Sequence, residues 1–219
     1  MIQCPSCSRE QEPRLVCDKC ASPMPVPADF DYFRALGIPR KLVIDSAALE
    51  VAYHELGRKI HPDRFASSPP NLRALSLSGT ALLTRSYRTL RDPIARGLYW
   101  LELNGEKLAE NNKNVPADLA ATVFEVQEQL ADFRSANGDT SRELKREIEN
   151  RRSELQSTMD EAQGELERNF SKWDSSSITD GGADKKALVA ELKTILSKIA
   201  YLRTLLRDID SGLETIKAA

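Results

Sequence analysis

An all-α protein is what this sequence predicts, and three observations predict it. Apolar residues recur at helical spacing through most of the 219 residues, in runs separated by Pro-, Gly- and Ser-containing turns. One such run ends at His61-Pro62-Asp63, and a second begins a few residues later, which describes a helical hairpin with the tripeptide at its tip. All four cysteines fall in the first twenty residues, Cys4-x2-Cys7-x9-Cys17-x2-Cys20. The chain therefore reads as a small cysteine-held module, a helical hairpin and, toward the C-terminus, an antiparallel three-helix bundle.

The N-terminal module comes first. Two C-x-x-C knuckles a short loop apart supply the four thiolates of a tetrahedral zinc site, and a structural zinc explains how about 25 residues with few apolar side chains fold at all. Two disulfides are the competing arrangement, and a rubredoxin-like iron site is a further one. With Cys4, Cys7, Cys17 and Cys20 all bound, no coordination position is left for catalysis. ASPMPVPA (21–28), with three prolines, reads as a semi-rigid linker.

DYFRALGI then predicts a short helix closed by Gly37 and Pro39, with Tyr32, Phe33 and Leu36 on its packed side. AALEVAYHELGRKI (47–60) carries Leu49, Tyr53, Leu56 and Ile60 at intervals of four, three and four, and Ser46 is placed to cap it. Pro62 ends this helix and leaves His61 and Asp63 on a solvent-facing corner, which suits docking better than catalysis. Arg58 points away from the buried stripe, Lys59 lies on its flank and Arg64 follows the tripeptide. After RFASSPPN (64–71) the next run passes Leu72, Leu75, Leu82, Leu83, Tyr87 and Leu90. Asp92-Pro93 starts a further helix, with Leu98, Tyr99, Leu101 and Leu103 expected in the core.

GEKLAENNKNV (105–115) is a turn-rich boundary. Beyond it, a helix over 117–134 buries Leu119, Val123, Val126, Leu130 and Phe133. A second, over 140–171, buries Leu144, Ile148, Leu155, Met159, Ala162, Leu166 and Phe170, with its beat interrupted at Arg151-Arg152. A third, over 184–216, buries Leu188, Leu192, Ile195, Ile199, Leu202, Leu206, Ile209, Leu213 and Ile216, after the loop KWDSSSITDGGA (172–183). Three amphipathic helices with short connections make an antiparallel bundle. At about 100° per residue, Ala121, Phe124, Glu125, Glu128 and Asp132 fall on the face opposite the first helix's buried stripe, and Tyr201 lies off the stripe of the third. An exposed aromatic ringed by acids reads as a binding patch or as ordinary surface.

The stretch around His61-Pro62-Asp63 resembles the J domain, the activator module of DnaK-type ATPase chaperones. DYFRALGIPR (31–40), AYHELGRKIHPDRFASSPP (52–70), SYRTLRDPIARGLYWLEL (86–103) and the helical tail together resemble the HscB family of iron–sulfur cluster co-chaperones over roughly residues 29–219. Residues 1–28 read as the tetracysteine zinc module and Pro-rich linker, which the resemblance permits, and the resemblance implies a J domain at 29–104 and a scaffold-binding bundle at 105–219. It implies that His61, Pro62, Asp63, Arg58, Lys59 and Arg64 contact the chaperone ATPase. It implies that Ala120, Ala121, Phe124, Glu125, Glu128, Asp132 and Tyr201 contact an IscU-type scaffold protein. The paired alanines depart from the larger apolar side chains common in the family, and Thr84 and Ser86 replace an Asn and Ala common there. Some members carry a tetracysteine module and others lack it.

Composition narrows the function classes. Residues 29–104 carry net charge +3 and residues 105–219 carry −5, which fits two docking surfaces of opposite sign rather than one nucleic-acid footprint. No run approaches the roughly 18 apolar residues of a membrane span, and MIQCPSC has neither the basic nor the apolar region of a secretory signal, so the expected location is cytoplasmic. His54 and His61 are the only histidines, and no nucleophile–base pair or Gly-rich phosphate loop is visible. The expectation is a non-enzymatic co-chaperone. A J protein serving another client is the alternative, and a zinc-ribbon nucleic-acid binder is a more distant one.

Overall fold

The computed structural model describes residues 1–27, 29–108, 119–175 and 183–215. Ile216, most of the boundary at 105–115 and most of the loop at 172–183 lie outside the described residues. The chain divides into two compact units, Met1–Trp100 and Leu101–Ala219.

The first unit opens with two short antiparallel strands, β1 (Ile2–Gln3) and β2 (Glu10–Gln11), paired Ile2 to Gln11 and Gln3 to Glu10. Buried Cys4, Cys17 and Met24 form a miniature core with Ile2 and Cys7 against it. Met24 corrects the linker reading of 21–28. Its amide donates to the Leu15 carbonyl at 3.0 Å, and Pro23 bridges to Val16, so the start of that segment belongs to the module. The buried Gln11 side chain ties the loop together, donating to the Val16 carbonyl at 3.2 Å and accepting from the Asp18 amide at 3.0 Å.

Helix α1 (Tyr32–Leu36) is capped by Asp31, which accepts from the Arg34 amide at 3.0 Å, and stops at Gly37, whose φ of 68° suits a residue without Cβ. Helix α2 (Ser46–Ile60) starts one residue away from the expected cap. Asp45 accepts from the amides of Ala47 and Ala48, and Ser46 is already in the first turn. A 3-10 turn, Pro62–Phe65, leads to α3 (Pro70–Arg91). The buried stripe of α3 includes Ser76, Gly79 and Ser86 beside Leu82, Leu83 and Leu90, and the end of α2 meets it at Ser76 and Gly79. Tyr53 of α2 stacks on Tyr87 of α3 with ring centres 4.2 Å apart. Asp92 caps α4 (Pro93–Leu103) through the Ile94 and Ala95 amides, both at 2.8 Å. On α4 the expectation for Leu98 fails: it is 42% exposed, while Trp100, not singled out from sequence, is buried and meets Phe33 edge-on at 5.9 Å.

The second unit holds α5 (Ala120–Ser135), α6 (Gly138–Ser175) and α7 (Ala183–Thr215). Val126, Leu130 and Phe133 of α5 pack with Ile148, Leu155, Met159, Ala162, Leu166 and Phe170 of α6 and with the stripe of α7. That stripe runs Val189, Leu192, Ile195, Leu196, Ile199, Leu202, Leu205 and Ile209, so its lower half turns onto Leu205 rather than Leu206. A Cβ at Gly212 would fall 2.7 Å from Leu130, so α7 meets α5 closely at that point. The interruption at Arg151-Arg152 has a structural role. Arg151 pairs with Glu125 on α5 at 3.0 Å, and Arg152 pairs with Asp210 on α7 at 2.6 Å.

Candidate functional site

The His-Pro-Asp turn is built from both arms of the hairpin. Helix α2 ends at Ile60 because Pro62 forces His61 into extended geometry, with ψ of 131°. Ending a helix leaves carbonyls without partners, and here α3 supplies some of them. The Ser76 hydroxyl donates to the Ile60 carbonyl at 2.7 Å and the Thr80 hydroxyl donates to the same oxygen at 3.2 Å. Arg64 reaches back and donates from Nη1 to the Arg58 carbonyl at 2.9 Å. His61 caps the following 3-10 turn by accepting the Asp63 amide at Nδ1, 3.3 Å away. That bond uses an Nδ1 lone pair and helps to orient the ring. His61 Nδ1 also lies 3.5 Å from the Asp63 carboxylate.

The tripeptide is exposed apart from a half-buried Pro62, and Arg58, Lys59 and Arg64 are exposed around it. Tyr53, His54, Gly57, Arg58, His61 and Arg64 line a shallow groove of about 420 Å³. Its walls are aromatic and basic, which fits an acidic protein surface and gives a small substrate no enclosure from water.

On the second unit, Ala120, Ala121, Phe124, Glu128 and Asp132 are exposed along one side of α5, and Phe124 reaches 69% exposure. Glu125 shares that side but is held by Arg151. Tyr201 sits on α7 and is half-buried.

The cysteine quartet is the third site. All four Sγ atoms lie within 4.8 Å of one another, with Cys4 and Cys20 3.5 Å apart and Cys7 and Cys17 3.6 Å apart. A disulfide needs about 2.05 Å, so these are free thiols. Tetrahedral thiolates about 2.3 Å from a metal stand about 3.8 Å from each other, and the quartet fits that geometry. The two knuckles repeat each other. The Ser8 and Ala21 amides donate to the Cys4 and Cys17 carbonyls, both at 2.9 Å, and the Cys4 and Cys17 amides donate to the Arg9 and Ser22 carbonyls at 2.8 and 2.9 Å. Ser8 and Ala21 have φ of 57° and 55°, and among the described residues no other non-glycine is left-handed. Such strain at two equivalent positions is what a demanding ligand geometry imposes. The Ser22 hydroxyl, foremost, draws Cys20 down to about 6. At Cys7 the Arg9 amide pulls downward, but desolvation and the other three sulfurs push it up to about 11. A divalent cation would take all four as thiolates.

Sequence reasoning missed the two hydroxyls on the Ile60 carbonyl. Ser76 and Thr80 are spaced i, i+4 on α3, which is the available signal, but their acceptor lies across a turn.

A helical hairpin with His-Pro-Asp at its tip, followed by a helical bundle, defines a protein of the J-domain class. The Co-chaperone protein HscB homolog of Chromobacterium violaceum is 33% identical over 133 residues, covering 59% of this chain and 76% of that protein. The Co-chaperone protein HscB homolog of Aromatoleum aromaticum is 28% identical over 188 residues, covering 85% and 96%. The chain belongs to the HscB co-chaperone family. The crystal structure of human co-chaperone protein HscB superposes with a TM-score of 0.70 at 23% identity, covering 98% of this chain and 99% of that one. Chaperone HscB from Vibrio cholerae gives 0.60 at 17% identity, covering 85% and 99%. Both show the shared fold. No family model matches the chain.

Proposed function

We propose that this chain is a non-enzymatic, cytoplasmic co-chaperone of iron–sulfur cluster biogenesis with three working parts, residues 1–28, 29–104 and 105–219. His61, Pro62 and Asp63, with Arg58, Lys59 and Arg64, dock a DnaK/HscA-type ATPase and raise its rate of ATP hydrolysis. The exposed side of α5, with Ala120, Ala121, Phe124, Glu125, Glu128 and Asp132, holds an IscU-type scaffold protein together with Tyr201. Joining two weak contacts in one molecule raises the effective concentration of scaffold at the ATPase. Cys4, Cys7, Cys17 and Cys20 hold zinc in a closed, structural site.

The observation that carries this reading is the tripeptide itself, which follows an Ile60 carbonyl held by Ser76 and Thr80, is closed by the Asp63 amide on His61, and leaves His61 and Asp63 exposed. A corner so braced offers His61 and Asp63 to a partner in one orientation, so little ordering entropy remains to be lost on docking. The bundle part rests on Phe124, a large aromatic left in water on a helix whose opposite side is fully packed.

The test is ATPase stimulation. His61→Gln keeps an amide able to accept the Asp63 N–H, so the fold is expected to persist while stimulation of the partner ATPase is lost. Full stimulation by a well-folded His61→Gln protein would contradict the proposal.

A further inference from the structure

We infer that Leu15 is a positioning residue for the His-Pro-Asp turn, and that through it metal capture by the cysteine quartet tightens the docking corner. The second half rests on the four-thiolate reading; the first stands on packing alone. Leu15 belongs to the cysteine module, two residues before the ligand Cys17, yet it is 2% exposed and seated outside the module's own core. Its Cδ2 lies 3.9 Å from where a Cβ would stand on Gly79, and Ile60 Cδ1 lies 3.5 Å from the same point. Leu15 and Ile60 thus share one hollow on α3, and that hollow exists because residue 79 has no side chain. Ile60 is fully buried, immediately precedes His61, and carries the carbonyl that Ser76 and Thr80 hold.

The backbone of Leu15 is in turn held by the knuckles. Its carbonyl accepts from Met24, Val16 bridges Pro23 and accepts from Gln11, and Cys17 follows. The module and the hairpin also face each other across a cleft lined by Glu12, Arg14, Leu15, Arg34, Leu56 and Lys59, and across it Arg34 reaches Glu12 at 3.8 Å. Exposed charges of that kind give little stability, so the packing contact carries the coupling. A module with so small a core depends on its metal to fold. Without the metal the 11–24 segment loosens, Leu15 leaves the hollow, and Ile60 loses its cover one residue from the docking histidine. Linkage makes this reciprocal: an ordered hairpin must also favour metal binding.

Hydrogen exchange on the full, reduced chain tests this with four samples: zinc-loaded, chelator-treated, zinc-loaded Leu15→Ala and zinc-loaded Leu15→Met. The amides of Ile60, Asp63, Arg64 and residues 76–83 are expected to exchange on the order of 10-fold faster in the chelated and Leu15→Ala samples. Amides of α6 and α7 should be unchanged, and Leu15→Met should restore protection. In ATPase stimulation, Leu15→Ala should raise the half-saturating concentration while keeping the maximal rate, as expected when the competent corner is populated part of the time. A Leu15→Ala protein with full zinc content and unchanged exchange at residues 60–64 would overturn the inference. Failure to bind zinc would remove the metal half together with the reading it rests on, and the Leu15→Ala and Leu15→Met pair would still decide the packing half.

Discussion

Phe124 is 69% exposed and Leu130, less than two turns along the same helix, is 3% exposed, so the two side chains make opposite predictions. Phe124→Ala should weaken scaffold binding by about 2 kcal/mol or more, the scale of an interface anchor, and leave the melting temperature alone. Leu130→Ala should destabilise the fold by about 2–5 kcal/mol, because it empties a packed site under Gly212. Paired binding and thermal-melt measurements separate them, and equal destabilisation by both would show that Phe124 is core. The acids beside Phe124 are not equivalent. Glu125 is already held by Arg151, so its replacement should cost bundle stability of about 1 kcal/mol or less as well as any binding. Glu128 and Asp132 are exposed and should act through the partner's charge, with an effect that salt reduces. From sequence these acids look alike, because spacing gives the face a residue occupies and not which cation on a neighbouring helix reaches it.

At the scale of elements, the helices were legible because each carries a buried stripe, to which α1, α2 and α4 add a capping Asp and α1 a terminating Gly. What was not legible is what joins elements far apart in the chain. Ser76 and Thr80 look like polar breaks in the stripe of α3, and only the fold brings them to the Ile60 carbonyl. Ser76→Ala should therefore destabilise the hairpin by about 0.5–1.5 kcal/mol, the net worth of one hydrogen bond, because Thr80 still donates to the Ile60 carbonyl, as read by denaturant unfolding. Asp45 and Ser46 are adjacent and both good caps, so a one-residue error there is inherent in the pattern. Tyr99 is another long-range link. Its hydroxyl accepts the Tyr32 amide at 3.0 Å and its ring stacks on Tyr32 at 4.2 Å, and burial, ahead of the opposing Tyr32 amide, pushes its phenol up to about 12. The unfolded chain ionises near its ordinary value of about 10, so above that pH it binds fewer protons than the folded chain and stability falls. Alkaline unfolding between about pH 10 and pH 12 should show this loss, and Tyr99→Phe should lack it.

At the scale of the whole molecule, the order of parts and the grouping of the four cysteines were legible from spacing. The packing of Met24 was not, because three prolines disguise 21–28 as a connector, and neither was that of Leu15, because spacing within the module does not show a contact with Gly79 on a distant helix. The fold and the HscB relationship leave one central claim to test: that one molecule couples a scaffold protein to a chaperone ATPase through two separate surfaces. The most direct measurement is single-turnover ATP hydrolysis by the DnaK/HscA-type partner with the full chain, with and without the IscU-type scaffold. Three proteins are compared: wild type, His61→Gln and Phe124→Ala. The account predicts stimulation by wild type that the scaffold increases, none by His61→Gln with or without scaffold, and stimulation by Phe124→Ala that the scaffold no longer increases. A scaffold-dependent increase that survives in Phe124→Ala, or stimulation that survives in His61→Gln, would contradict it.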